Sequence, residues 1–303
     1  MLAGLLLGCG APTPDVPTPT VGLAPPEHGV QLKVAAFSVP RGTEVQHCYY
    51  FKLPSDVDVE VTRIEVAYRK GSHHMNLFRT RADLPDHDEE CFKPMNFTTP
   101  TNPDGVDLVV GSQKESLDWK LPTGVAFKLK AHQQLILQTH YVNASTQAGE
   151  TGEVWVNLHT AADPKTITAH VGTMFANNMT IRLPPKAPSA FTTGCAVPHD
   201  VNVLAVTGHF HSRGKKFTVA ACPTDMRKAD AAFYESDAWD APPFKVLDKP
   251  VALKTGGGLE YICEFFNDTD REIKFGPKVE TDEHCNLFAY IYPWEDDNAR
   301  YCF

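Results

Sequence analysis

The chain has 303 residues, 42% of them hydrophobic, and a formal net charge of −9 from 28 basic and 37 acidic side chains. This length and apolar content suffice for two cores, so we expect two domains of about 130 to 150 residues, with one large sandwich as the alternative. Because no basic run interrupts the negative charge, nucleic acid and anionic membrane surfaces are poor partners.

The first nine residues resemble a processing signal. The apolar run 2–8 is too short to span a bilayer, which needs roughly 20 apolar residues. Its end, Leu6-Leu7-Gly8-Cys9, is similar to a bacterial lipobox, in which the Cys is lipidated, although a basic start is missing. We therefore predict an exported periplasmic or cell-surface lipoprotein that reaches the membrane only through Cys9. The alternative is an accidental apolar start.

Residues 10–29 are rich in Pro and Thr and predict an extended tether. Short alternating or β-branched segments follow, bounded by Pro, Gly, Asn and Asp, and no stretch sustains a helical period. Examples are the segments 59–66, 135–142 and 154–158. This pattern predicts an all-β protein of antiparallel sandwiches or jelly rolls. A connector near 161–164 would divide it into domains at 30–165 and 166–303.

The cysteines agree with an oxidising compartment. Seven remain besides Cys9, and no pair has the C-x-x-C spacing of a thiolate metal site. Disulfides are therefore the better interpretation for an exported protein. Because seven is an odd number, at least one thiol is left over unless it pairs with another chain.

Five of the 13 histidines lie in strand-like segments: His73, His74, His140, His209 and His211. Residues i and i+2 of a strand share a face, so His209 and His211 could chelate one ion. Adjacent His73 and His74 point to opposite faces and could share a metal only at a strand end or bulge. Imidazoles without thiolates favour copper or zinc. Any one of these histidines alone could equally be a hydrogen-bonded structural residue.

Three segments resemble motifs of one enzyme family. Residues 71–78 (GSHHMNLF), 137–141 (LQTHY) and 207–214 (TGHFHSRG) are similar to the His-His-Met, Gln-x-His-Tyr and His-x-His-x-x-Gly motifs of the copper type II, ascorbate-dependent monooxygenases. This is the family of the peptidylglycine α-hydroxylating and dopamine β-hydroxylating enzymes. The resemblance covers about residues 30 to 303. It implies two disulfide-stapled jelly-roll domains with one copper each, facing each other across a solvent-filled cleft.

The resemblance also implies a role for each motif histidine. The first copper, which receives and stores an electron, would be held by His73, His74 and His140. The second copper, where oxygen and substrate meet, would be held by His209 and His211. Gln138 matches a family Gln associated with electron transfer, and an ordinary polar strand residue is the alternative.

The same resemblance implies three disulfides, Cys48–Cys91, Cys195–Cys302 and Cys263–Cys285. Cys222 is left over, and we expect it to be a small buried residue. The family has a Met ligand of the second copper immediately before the position of Cys285, where this chain has His284. We expect His284 to bind metal as well. Thioether favours Cu(I) whereas imidazole suits Cu(II) and zinc, so the exchange alters the redox balance and puts turnover in question.

Two further departures concern the substrate. Peptide-amidating members grip a peptide carboxylate with an Arg and a Tyr at positions that here hold Thr207 and Phe288. Without the Arg a bidentate carboxylate clamp is lost, so a small, less charged organic molecule is the better substrate. Asn286 is retained as a candidate substrate contact, with a turn residue as the alternative.

Three functions remain open. The first is a monooxygenase with two coppers, which hydroxylates an activated C–H bond of an organic substrate with O2 and ascorbate or another one-electron reductant. The second is a copper-binding or copper-buffering surface protein without turnover. The third treats His209, His211 and His284 as a hydrolase-like zinc site with an open water position. It leaves the other three motif histidines without a role.

Overall fold

The computed structural model describes residues 22–69, 71–85, 91, 105–144, 149–294 and 300–302. Within these residues the chain forms 21 strands and one short 3-10 helix, Pro164–Thr166, which confirms the all-β prediction. No helix among them is long and apolar enough to cross a membrane. Cys9, with its predicted lipid, and residues 10–21 of the predicted tether lie outside the described residues.

The first half of the chain builds two facing sheets. Its strands are β1 (Gly29–Val39), β2 (Thr43–Lys52), β3 (Val59–Tyr68), β4 (Ser72–Thr80), β5 (Val106–Ser112), β6 (Ser116–Lys120), β7 (Val125–Leu129), β8 (Gln134–Asn143), β9 (Glu150–Thr160) and β10 (Ala169–His170). One sheet has the order β1-β9-β3-β7-β10, with β6 also paired to β3, and the other has the order β2-β8-β4-β5.

The second half repeats this plan. Its strands are β11 (Gly172–Asn177), β12 (Arg182–Leu183), β13 (Ala187–Ala196), β14 (Val201–His209), β15 (Gly214–Cys222), β16 (Ala232–Ser236), β17 (Lys245–Leu253), β18 (Gly258–Asn267), β19 (Ile273–Lys274), β20 (Asn286–Tyr292) and β21 (Arg300–Cys302). The larger sheet has the order β17-β14-β20-β11-β21, the facing sheet has β13-β18-β15-β16, and β12 pairs with β19.

Both halves are jelly rolls, because their strand orders coincide. When β6 and β7 count as one strand, the first half has eight strands up to β9, and they lie in the orders 1-8-3-6 and 2-7-4-5. The second half gives the same two orders for β11, β13, β14, β15, β16, β17, β18 and β20. Consecutive strands thus alternate largely between facing sheets, as two Greek keys require.

Burial follows the period of the strands. In β13, half-buried and exposed residues alternate along most of the strand, as expected when one face packs and the other meets water. One apolar core fills each half, and the first core also takes in Leu204, Ala205 and Tyr290 of the second half. The two halves are therefore packed against each other through apolar side chains.

Strand β5 shows how closely the halves fit. It lies at the edge of its sheet, yet all seven of its residues are buried. The hydroxyls of Tyr290 and Tyr301 accept from the backbone N–H groups of Gly111 (3.0 Å) and Leu108 (3.2 Å). Tyrosines of the second half thus take the place of a further strand along this edge.

Contacts of the structure lie across two of the predicted boundaries. β10 pairs in parallel with β7, so the first-half sheet continues beyond the predicted division between residues 165 and 166. The last part of the predicted tether is fastened to the fold instead of extending away from it. The carbonyls of Leu23 and Ala24 accept from the side chains of Gln31 (2.9 Å) and Asn157 (2.8 Å).

Three disulfides staple the two halves internally and have the pairing that the resemblance implies. They are Cys48–Cys91, Cys195–Cys302 and Cys263–Cys285. Cys222 is unpaired and fully buried, as expected. Desolvation raises the pKa of its thiol, which keeps it protonated and unreactive.

Candidate metal centre

A β-bulge brings the adjacent histidines of β4 together. Ser72 pairs with Tyr141 and His74 with His140, so two steps along β4 correspond to one step along β8, and His73 is the extra residue. The His73 and His74 rings consequently lie 5.1 Å apart, although they would diverge on a regular strand. The ring of His140 lies 5.2 Å from His73 and 4.8 Å from His74. We call these three residues the first triad.

Each histidine of the first triad has a buried nitrogen without a protein partner: Nε2 of His73, Nδ1 of His74 and Nδ1 of His140. One ligand nitrogen from each of the three lies within 4.8 Å of the others. Buried polar atoms ordinarily have partners, so three unpartnered imidazole nitrogens in one place make the first triad a candidate ion-binding site. This arrangement suits copper or zinc.

The carboxylate of Glu44 selects which nitrogen His140 offers. Its Oε1 lies 2.7 Å from Nε2 of His140, and this hydrogen bond is the main cause of the lowered pKa of Glu44. An ionised carboxylate can only accept, so Nε2 carries the proton and Nδ1 keeps its lone pair. The acceptor on the far side of the ring fixes the tautomer of a metal-ligating histidine in this way.

His209 and His211 lie at the end of β14. The strand ends at His209, so the prediction that both stand on one regular strand is only partly right, yet their rings are 5.3 Å apart. Phe210 between them points into the second core and is 2% exposed. A Cβ atom on Gly214 would come within 1.9 Å of the Phe210 ring. The glycine of the His-x-His-x-x-Gly segment therefore provides the space for this turn.

The outer nitrogens of both histidines are held by acceptors. Nδ1 of His209 lies 2.8 Å from Oε1 of Gln113, whose own amide donates to the carbonyl of Trp239 (3.2 Å). Nδ1 of His211 donates to the carbonyl of Asp282 at 3.0 Å. Because both partners are acceptors, each ring keeps its proton on Nδ1 and offers Nε2. Gln113 belongs to the first half, so it crosses between the halves to hold His209.

Glu283 organises the turn around the second group of histidines, although sequence reasoning did not single it out. It is completely buried and accepts from the backbone N–H groups of His211 (2.8 Å), Arg213 (2.8 Å) and His284 (3.3 Å). Burial raises the pKa of its carboxyl to about 7 against the effect of these donors. Its sequence neighbours carry no spacing signal that could have revealed it.

His284 packs against the same group. Its ring lies 4.5 Å from His211 and 5.3 Å from His209. Asn286, predicted as a candidate substrate contact, places its Nδ2 3.1 Å from Nδ1 of His284, and its Oδ1 is buried without a partner. The opposite orientation of this amide would let Oδ1 accept from Nδ1 of His284, whereas the ligand nitrogens that converge within 4.8 Å are those of His73, His209 and His211. Asn286 thus contacts a candidate ligand in the structure.

The two groups of histidines form one cluster. The ring of His73 lies 5.1 Å from His209 and 5.4 Å from His211, and His74 lies 5.6 Å from His209. The expected solvent-filled cleft between the two groups is therefore wrong for this structure, in which the histidines of the two halves are in contact. The nitrogens of His209 and His211 converge within 4.8 Å with that of His73.

Burial sets the protonation of the cluster. It lowers the pKa of His73, His74, His209 and His284 well below the ordinary histidine value, and repulsion between the imidazoles lowers it further. Burial likewise lowers the pKa of His211 to about 4. Neutral imidazoles bind metal, so these rings need no deprotonation at neutral pH.

The remaining candidates lie beside the cluster. Oε1 of Gln138 accepts from the side chain of Asn76 at 3.0 Å, on the strand face that also carries His140. Thr207 and Phe288 stand directly opposite each other on β14 and β20. Because neither side chain is charged, this pair supplies no clamp for a carboxylate.

Comparisons with known proteins add little to this geometry. No family model matches the chain, and no curated protein matches it. Among solved structures, it is similar to the STIV MCP at 10% identity, over 88% of this chain and 97% of that chain, with a TM-score of 0.34. The major capsid protein P2 of bacteriophage PM2 is 9% identical over 87% and 100% of the two chains, with a TM-score of 0.31. Likeness of this degree carries no argument about function, and the jelly-roll assignment rests on the strand orders.

Proposed function

We propose that the chain is an exported, copper-dependent monooxygenase that hydroxylates an activated C–H bond of a small organic substrate with O2 and ascorbate or another one-electron reductant. One observation carries the proposal. The first triad offers three buried, converging imidazole nitrogens without protein partners, directly beside three further histidines. The three disulfides of the chain favour a periplasmic or cell-surface location, in keeping with the predicted lipid anchor at Cys9.

The histidines present suit copper, and the nitrogen of His73 converges both with those of His74 and His140 and with those of His209 and His211. The first triad would hold one copper, and His209, His211 and His284 would hold the other. Copper bound there would supply one-electron transfer and the activation of oxygen. All six donors are imidazoles, which suit this metal. The resemblance of the histidine motifs to copper type II monooxygenases supports copper over zinc.

The surrounding residues orient these donors. Glu44, Gln113 and the carbonyl of Asp282 hold the outer protons of His140, His209 and His211, so each ring turns a lone pair inward. Burial excludes water from His73 and His211, which are 5% and 1% exposed. A site of this kind protects a reactive centre from side reactions with solvent. The uncharged pair of Thr207 and Phe288 favours a substrate without a carboxylate.

A second function, copper binding or buffering without turnover, is favoured by the contact between the two groups of histidines. Because the rings of His73 and His209 are 5.1 Å apart, the closed cluster leaves little space for a substrate. The imidazole of His284, which stands where the resembled family has a Met thioether, also favours copper binding without turnover. A hydrolase-like zinc site at His209, His211 and His284 is the third possibility, and it does not explain the first triad.

Copper stoichiometry followed by oxygen uptake tests these functions. We expect two coppers per chain and oxygen consumption that depends on ascorbate. Two coppers that are reduced and reoxidised without steady oxygen uptake at any tested substrate would favour the buffering function. One tightly held zinc, with no second ion at the first triad, would favour the hydrolase-like site.

A further inference from the structure

Glu44 joins the first triad to the second half of the protein. It lies on β2, the edge strand of its sheet, and 27% of its side chain is exposed. The same oxygen, Oε1, that lies 2.7 Å from Nε2 of His140 also accepts from the backbone N–H of Val279 at 3.3 Å. Val279 is buried and belongs to the loop that leads from β19 to His284.

The loop that contains Val279 is compact, so a contact at one end is transmitted along it. The backbone N–H of Asp282 donates to the carbonyl of Lys278 at 2.8 Å, and the carboxylate of Asp282 accepts from the N–H of Lys278 at 3.1 Å. The carbonyl of Asp282 in turn holds Nδ1 of His211. Hydrogen bonds, linked by the backbone between Lys278 and Val279, therefore run from His140 through Glu44 and this loop to His211.

We propose that Glu44 is a clasp through which ion binding at the first triad strengthens the attachment of the 278–284 loop of the second half. The proposal rests on the proposed function only in that His140 binds a metal ion. An imidazole whose Nδ1 lone pair is engaged holds its Nε2 proton less tightly and donates a stronger, charge-assisted hydrogen bond. The carboxylate is then fixed where it also meets Val279.

The coupling is reciprocal. If ion binding favours the closed loop, the closed loop raises the affinity of the first triad by the same factor. Glu44 is thus a positioning residue for both groups of histidines. Loading of one group would prepare the loop that carries His284 of the other.

Hydrogen exchange at the Val279 amide, with and without saturating Zn²⁺ or Cu²⁺, tests the clasp. In the wild-type chain we expect the ion to slow this exchange about 5-fold or more, the lower end of typical coupling between sites. Glu44→Ala should abolish the slowing and weaken ion binding at the first triad about 10- to 100-fold. Glu44→Gln, which keeps acceptor and shape but not the charge, should give an intermediate effect. Glu115→Gln, at an exposed carboxylate of the first half, should match the wild type.

Ion content measured on the same samples separates the two proposals. A wild-type chain that takes up no ion at His140 overturns the clasp and the proposed function together. A fully loaded chain in which Val279 exchanges at the metal-free rate, or in which Glu44→Ala keeps the full slowing, overturns the clasp alone. If Glu44→Ala does not fold, Glu44→Gln decides. If the ion then slows exchange of the Val279 amide in Glu44→Gln as much as in the wild type, the result counts against the clasp.

Discussion

The imidazole rings of His73 and His209 lie 5.1 Å apart and are tilted by 51° to each other, although they belong to different jelly rolls. His73 is therefore placed to serve either group of histidines. Its unpartnered Nε2 can complete the set with His74 and His140 or the set with His209 and His211. As long as the halves stay closed, the two groups are not independent binding sites.

Replacing His140 by Ala should remove about one copper per chain, because the first triad would keep only two of its three imidazoles. Metal analysis after reconstitution and dialysis measures the loss. His170→Ala is the matched control, since Nε2 of His170 also lies beside a carboxylate, Glu60 at 3.0 Å, but outside the cluster. An unchanged copper content in His140→Ala would show that the first triad is structural.

Replacing Gln113 by Ala should weaken ion binding at His209 and His211 about 10- to 100-fold, since His209 loses the acceptor that fixes its tautomer. Competition titration with a chelator of known affinity measures this. Gln31→Ala removes a half-buried amide that bonds Asn157 on the far sheet of the first half, and it should leave the affinity unchanged. If both variants weakened ion binding equally, Gln113 would have only a general structural role.

Replacing His284 by Met should retain or increase oxygen uptake with ascorbate, because a thioether ligand favours Cu(I) at the second group. The comparison requires both forms to carry two coppers, which metal analysis verifies beforehand. Complete lack of oxygen uptake in both loaded forms would count strongly against the monooxygenase. It would instead support copper binding without turnover.

The metal-free protein should lose stability as the pH falls from about 6.5 toward 4. Folded His73, His74, His209, His211 and His284 have a pKa below that of an unfolded histidine, so the unfolded chain binds more protons in this window. The free energy of unfolding, measured by urea titration at several pH values, should therefore decrease.

Glu283 has the opposite effect on how the free energy of unfolding depends on pH. Its folded pKa of about 7 exceeds the ordinary carboxyl value of 4.5, so its contribution to stability grows as the pH falls from 7 to 4.5. Glu283→Gln removes this opposing contribution and should make the acid loss steeper. A free energy of unfolding that stays constant between pH 6.5 and 4 in both forms would contradict neutral buried histidines.

Replacing Gly214 by Ala should cost about 1 to 3 kcal/mol of stability, because the added methyl group overlaps the buried ring of Phe210. Thermal or urea unfolding measures the cost. At Gly22 a Cβ atom would meet nothing within 4 Å, so Gly22→Ala is the control. Similar unfolding of both variants would mean that the His209–Gly214 turn adapts to the methyl group.

The sequence alone predicted the all-β fold, since strands follow from local residue patterns, and for His73 and His74 it indicated only that they could share a metal at a strand end or bulge. It could not predict the hydrogen bonds around the imidazole rings of the cluster. Glu44, Gln113 and Glu283 hold the outer sides of histidines or their backbone, and each is an isolated polar residue whose partner lies far away in the chain or in an irregular loop. Local periodicity carries no information on such contacts. The contact between the two groups of histidines depends on how the halves pack, which no motif spacing encodes.

The bridge between Cys263 and Cys285 bears on the order in which the protein matures. Cys285 follows His284 directly in the chain, so before oxidation a thiol lies next to an imidazole of the cluster. Thiolate is the softer ligand and binds Cu(I) readily. A reduced chain that met Cu(I) would offer it the thiolate of Cys285 as a competing ligand. We expect oxidation to precede ion uptake, so the compartment that closes the bridge also determines which ions the histidines first encounter.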